Sequence, residues 1–142
     1  MLTAEDKWAI GETLSLHAHL FDEGRLDRLD ELFTSDVVYE VSDPGYGVLV
    51  GIDAVRDGAL AIGAQNPLAH IVTNIVIADT GDSNTATVRS KAIAVMSDRR
   101  CGTATYMDSV RRQPDGWRIG HRKILPRREP LGGVAANSSL SR

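Results

Sequence analysis

The 142-residue sequence predicts one α+β domain, a curved antiparallel sheet closed over by helices into a cone with an internal pocket. Three observations carry that prediction. Helical periodicity is confined to the first half of the chain. The second half is a series of β-rich runs parted by short turn signals. The resulting order, α-α-β-β-α-β-β-β-β, sets the helices apart from a long meander.

Thr3-Ala4-Glu5-Asp6 reads as a capping box with Asp6 in place of the usual Glu, and starts a helix over residues 4–21. Its apolar stripe is Ile10, Leu14, His17, Ala18 and Phe21. Asp22 lies four residues after Ala18, so one more turn points it at the core, whereas a frayed end leaves it at the surface or as a cap for the next helix. Glu23-Gly24 ends the helix. Leu26, Leu29, Leu32 and Phe33 give a second, short amphipathic helix. Residues 36–41 read as a strand, Asp43-Pro44-Gly45-Tyr46-Gly47 as a turn, and residues 48–50 as a returning strand. Asp53 is an N-cap for a third helix through Val55, Ala59 and Ile62, weakened by Gly58 and Gly63.

Four strands follow, over residues 68–77, 85–97, 103–112 and 117–125, joined by short turns into an antiparallel meander. In the first of them His70, Val72, Asn74 and Val76 share one face, and Ile71, Thr73, Ile75 and Ile77 the other. Neither face is polar enough for solvent, so both are expected to be covered. A histidine and an asparagine on a covered strand need partners. His70 is therefore either a core histidine satisfied by a backbone carbonyl or an active group with a side-chain partner. Asn74 either ties down a strand edge or bulge, or donates to a carbonyl in the pocket. Residues 1–125 form the domain, and residues 126–142, rich in Gly, Ser, Pro and Arg, are expected to be a mobile tail.

Composition excludes several classes. Apolar content of 42% and charge of 25% are ordinary for a globular protein, and no run of 18 apolar residues exists to cross a membrane. No apolar leader is evident, and Cys101 is the only cysteine, which excludes an intramolecular disulfide and a thiolate zinc cluster. A cytoplasmic protein without metal or cofactor is the expectation. Residues 1–87 hold 15 acidic and 4 basic side chains, whereas residues 88–142 hold 4 acidic and 12 basic. The later arginines alternate along strands as on a solvated face, and stacking aromatics are missing, so nucleic acid is not expected.

Several fragments, in order, carry a resemblance: Phe21-Asp22, then Leu29-Asp30-Glu31-Leu32-Phe33 and Asp36, Gly51, His70 with Asn74, Tyr106 with Asp108, and Gly116-Trp117-Arg118-Ile119-Gly120-His121-Arg122. Over roughly residues 4–125 the chain resembles the SnoaL-like branch of the nuclear transport factor 2-like, or ketosteroid-isomerase-like, superfamily. That branch contains scytalone dehydratase, bile-acid 7α-dehydratase and hexachlorocyclohexane dehydrochlorinase. The resemblance implies that Asp22 pairs with His70, that Arg122 is a pocket arginine, and that His17 stands where the dehydrochlorinase has a lysine. Two departures matter. Phe21 stands where the dehydratases have a tyrosine, and Thr103 and Thr105 lie on the strand where scytalone dehydratase carries a second histidine.

An imidazole held by a carboxylate is a better base, because the carboxylate stabilises the imidazolium that forms. No Gly-x-Ser-x-Gly motif is present, so proton abstraction fits better than acyl transfer. Arg122 could stabilise an anion, or be one more solvated strand arginine. His17 could assist, or be a satisfied core histidine. Phe21, Tyr39, Tyr46 and Tyr106 are candidate pocket walls, and His121 is read as structural. The expected function is a lyase or isomerase acting on a small, mostly apolar, oxygenated ring compound. The alternative is a non-catalytic binder, or a structural subunit like the β subunit of ring-hydroxylating dioxygenases. An apolar outer sheet face predicts a homo-oligomer, and the resemblance implies a dimer or trimer.

Overall fold

The computed structural model describes residues 1–42 and 47–134. Helix α1 spans Ala4–Asp22, β1 Phe33–Val41, β2 Val48–Val50 and α2 Ile52–Ile62. Strands β3 Ala69–Asp79, β4 Thr85–Val95, β5 Cys101–Gln113 and β6 Gly116–Arg127 follow. The predicted second helix is instead a 3-10 turn over Leu26–Glu31, interrupted by non-helical dihedrals at Arg28. A stretch of six residues is too short for α-helix nucleation to repay its entropy. Of the predicted turn over residues 43–47, positions 43–46, with Tyr46, lie outside the described residues, as do residues 135–142 of the predicted tail. The earlier part of that tail is ordered into structure: β6 runs to Arg127, and Pro130–Gly133 forms a 3-10 turn.

All six strands make one curved sheet in the order β2-β1-β6-β5-β4-β3. The meander β3–β6 is antiparallel as expected. The sheet is not antiparallel throughout, because β1 runs parallel to β6, with Phe33 opposite Ile119 and Val41 opposite Ile124. That contact joins the two halves of the chain, and no local pattern announces it.

Thr3 caps α1 through the expected box, its hydroxyl accepting from the Asp6 N–H while the Asp6 carboxylate accepts from the Thr3 N–H. Asp6 also accepts from the Trp117 indole at 3.3 Å and pairs with Arg112 at 2.9 Å, which fixes the start of α1 to the β5–β6 hairpin. The buried stripe of α1 is Ile10, Thr13, Leu14, His17 and Leu20, which corrects the expected stripe by replacing Ala18 and Phe21 with Thr13 and Leu20. Ile10 and Leu14 meet Leu29, Leu32, Phe33, Val37 and Ile119 in the core. Truncating Ile10 or Leu14 to alanine would cost about 2–5 kcal/mol.

Two bulges decide which side chains reach the inside. The β3–β4 register shifts between Thr73 and Val76, with Asn74 at φ 55°. Simple alternation therefore fails: Val72, Ile75 and Ile77 pack on the core, while Val76 is exposed. The expectation that both faces of this strand are covered is also corrected, since Ile71 and Val76 are exposed within the single chain. The β5–β6 register shifts between Ser109 and Val110, which makes Gly120 the extra residue. Trp117 and Ile119 point inward before it, and Arg122 does so after it. A Cβ on Gly120 would sit 2.6 Å from the Arg111 side chain, which reaches across to Thr34 and Asp36.

Candidate active site

The last residue of α1 is Asp22, so the helix does continue far enough to aim that carboxylate along its inner stripe. His70 lies near the start of β3, the edge strand that α1 packs beside. Asp22 Oδ1 stands 2.6 Å from His70 Nδ1, and Asp22 Oδ2 accepts from the His70 backbone N–H at 3.0 Å. One carboxylate thus holds both the ring and the strand that carries it. Nδ1 is taken, and Nε2 is left on the far side of the ring from Asp22. The pair is not sealed: the Asp22 side chain keeps 21% of its exposure and that of His70 15%.

His70 forms part of the wall of a cavity of about 310 Å³ between α1, α2 and the sheet. Phe21, Leu49, Val55, Ala59 and Ile62 make that cavity apolar, and His17 and Tyr39 add polar edges. Phe21 lies 4.6 Å from the His17 ring and 6.3 Å from that of His70. His17 is fully buried, edge-on to His70 at 5.4 Å and to Tyr106 at 5.9 Å. Its Nδ1 has no partner among the described residues. Burial, and after it the charges of Arg122 and His70, holds its pKa well below the ordinary 6.5, so His17 is neutral. Burial likewise pushes the Tyr39 and Tyr106 phenols up, so both keep their protons.

Arg122 is wholly buried. Its Nε and Nη2 donate to the two Asp108 oxygens, each at 2.8 Å, and its guanidinium lies 4.1 Å over the Tyr106 ring. Burial alone would lower its pKa, but the Asp108 charge and those two bonds outweigh it and raise it further, so Arg122 stays charged. Its remaining nitrogen, Nη1, is buried without a partner among the described residues.

Of the residues singled out by sequence, the structure brings together Asp22, His70, His17, Phe21, Tyr39, Tyr106 and Arg122. It does not bring Asn74, which is exposed at its bulge with its amide oxygen accepting from Thr73. His121 faces outward and pairs with Glu40 at 3.2 Å. The residue that sequence reading missed as a site member is Asp108, the counter-ion of Arg122. A signal existed: the two flank the 114–115 turn almost symmetrically, so the hairpin sets them opposite each other. No three His, Cys, Asp or Glu side chains gather in metal-binding range among the described residues.

With this geometry in view, the comparisons place the chain. The family model for the SnoaL-like domain matches residues 2–123. The chain belongs to the SnoaL-like family. Among curated proteins, none matches this SnoaL-like chain. Solved structures do. A Nostoc punctiforme protein of unknown function with a cystatin-like fold is 25% identical, with 92% of this chain and 96% of that one covered, at a TM-score of 0.72. A proposed scytalone dehydratase from Novosphingobium aromaticivorans is 24% identical over 86% of this chain and 84% of that one, at 0.72. A hexachlorocyclohexane dehydrochlorinase is 15% identical over 86% of this SnoaL-like chain and 85% of its own, at 0.73. At 24% and 15% identity these last two likenesses show the shared cone fold. No helix among the described residues is long and apolar enough to cross a membrane.

Proposed function

We propose that this SnoaL-like protein is a cofactor-independent lyase or isomerase that takes a proton from carbon. The observation that carries the reading is the 2.6 Å contact between Asp22 and His70 at the wall of an apolar cavity. With Asp22 accepting from Nδ1–H, the ring presents an unprotonated Nε2 as a base. Nε2 removes a proton from a carbon next to a carbonyl, or next to a carbon that bears a leaving group. The C–H electron pair then enters an enolate, which is reprotonated elsewhere, or forms a double bond as hydroxide or halide departs. Developing negative charge is met by the Tyr39 hydroxyl, which keeps its proton, and is favoured through space by the buried charge of Arg122 behind Tyr106. Asp108 acts through Arg122, holding its guanidinium flat against Tyr106.

The test is turnover on a panel of small cyclic ketones and halides, read as hydrogen exchange in deuterated water. His70→Ala is expected to lower the rate by about 10²–10⁴, the usual worth of a positioned base. Asp22→Asn is expected to lose a similar factor with the fold intact, and the double variant no more than the worse single one, because the two groups act as a unit. Full activity in His70→Ala would overturn the assignment. One comparison favours a second reading: a proposed aromatic ring hydroxylase from Novosphingobium aromaticivorans is 26% identical to this chain. The second reading is a non-catalytic subunit like the β subunit of ring-hydroxylating dioxygenases, and copurification with a brown iron–sulfur partner would support it.

A further inference from the structure

The chamber behind His70 is not the whole interior. A second, more open groove of about 590 Å³ runs along the inner face of the sheet, and His70 and Tyr39 line both spaces. The groove floor is made of Ala92, Ala94, Gly102 and Ala104. The register sets these side by side: Ala94 pairs with His70 on one strand and Gly102 on the next, and Ala92 pairs with Ala104. Elsewhere the same inner face carries Val88, Val110, Trp117 and Ile119, which fill the space against α1. A Cβ added at Gly102 would meet nothing within 4 Å, so the space over the floor is open.

Two further observations point to a ligand across the junction. The first is polar. Tyr39 lines both spaces together with His70, and burial keeps its phenol protonated, so its hydroxyl is a donor at the junction, with the Arg122 charge behind Tyr106. A buried phenol donor is best satisfied by an acceptor, and a ligand oxygen lodged where the two spaces meet would supply one. The second is size. The chamber of about 310 Å³ is at the lower limit of ordinary ligand sites, whereas chamber and groove together fall well inside the range.

We infer that the substrate is a two-part apolar ketone, with a ring in the chamber, its carbonyl oxygen on the Tyr39 hydroxyl that both spaces share, and an apolar arm along the alanine–glycine groove. His70 then faces the carbon at which ring and arm join, next to the carbonyl, and that carbon carries the acidic hydrogen. This rests on the dyad reading and narrows it from small rings in general to rings substituted beside the reacting carbon.

Calorimetric binding of 1-indanone, a ring with its carbonyl, and of 2-benzyl-1-indanone, the same ring with an arm, tests this without requiring turnover. The wild type is expected to bind the benzylated probe about tenfold or more tightly than the bare ring. Gly102→Trp fills the groove and is expected to abolish that preference while leaving 1-indanone unaffected, and Ala104→Phe is a second filling variant should the first fail to melt cooperatively. Ala59→Phe, in the chamber wall, is expected to weaken both probes. Equal affinities in the wild type, or a preference that survives both groove fillings in folded protein, overturns the two-part ligand while leaving the dyad standing. Binding of both probes that ignores Ala59→Phe shows that the ring does not enter the chamber, and overturns the site reading and this inference together.

Discussion

Asp22 is a positioning residue with two duties, and substituting it separates them. In Asp22→Asn the amide oxygen still serves the His70 backbone N–H, so the strand stays in place. The amide N–H₂ then meets Nδ1, which must accept, and the proton moves to Nε2. The ring would present a donor where it had presented a base. Nitrogen chemical shifts of His70 should report this exchange of tautomers without any substrate, and unchanged shifts would show that Asp22 does not set the tautomer. His17 gives a second prediction at this scale. Its folded pKa is depressed, so above pH 6.5 its proton count is the same folded and unfolded and it contributes nothing to the pH dependence. Below 6.5 the unfolded chain binds a proton that the folded chain refuses, and stability falls by about 1.4 kcal/mol per pH unit. His17→Met is expected to flatten unfolding free energy between pH 6.5 and 5, measured by urea denaturation relative to wild type. A further loss enters lower down. Asp6 is held at about 2, first by its bond from the Thr3 backbone, so the stability it provides is present above 3.8 and is lost as pH falls through its folded value.

At the scale of the elements, the β5–β6 hairpin carries the most exposed risk. Asp108 and Arg122 are both fully buried, and each is tolerable only because of the other. Asp108→Asn should destabilise by about 3–5 kcal/mol by leaving a buried charge unpaired, whereas Asp108→Leu with Arg122→Met should recover much of that in a thermal melt. A double variant as unstable as the single one would argue against this account. The same hairpin shows where sequence stops speaking. The meander and the α1 cap were legible, because alternation, turn residues and Thr3–Asp6 are local signals, whereas Asp53, expected as the cap of α2, lies inside its first turn, which starts behind Gly51 with no side-chain cap. Asp22 was half legible: periodicity put it on the inner side, but only the family pattern gave it His70. The bulge at Gly120 was not legible, and unbroken alternation from Trp117 would have turned His121 inward and Arg122 out. Asn74 failed in the same way, since one inserted residue moves everything beyond it to the other face. The parallel pairing of β1 with β6 depends on contacts between distant parts of the chain, which leave no periodic trace.

For the whole molecule, the uneven charge of the sequence becomes a polarity of surface. Arg89, Lys91, Lys123 and Arg127 lie on the outer face of the sheet around exposed Ile71, Val76 and Met107, with Glu40 among them. We propose that copies of the chain associate through this face into a dimer or trimer. Like charges brought together resist association, and salt screens them. Sedimentation at micromolar concentration should therefore show an oligomer that tightens as salt rises from 50 to 300 mM, and a monomer at every salt concentration would refute the interface.

The pairing of β1 with β6 also sets a timetable for synthesis. The first strand emerges early from the ribosome, and its neighbour arrives nearly last, so β1 must wait with one edge unsatisfied. Non-local closure of this kind slows folding. Asp108 and Arg122 escape the wait, because both belong to one hairpin and meet as soon as it zips. Their charges are therefore already neutralised when the cone shuts over them. Pulse-labelled hydrogen exchange during refolding should find β5 and β6 amides protected before those of β1, and simultaneous protection would mean that the sheet closes in one concerted step.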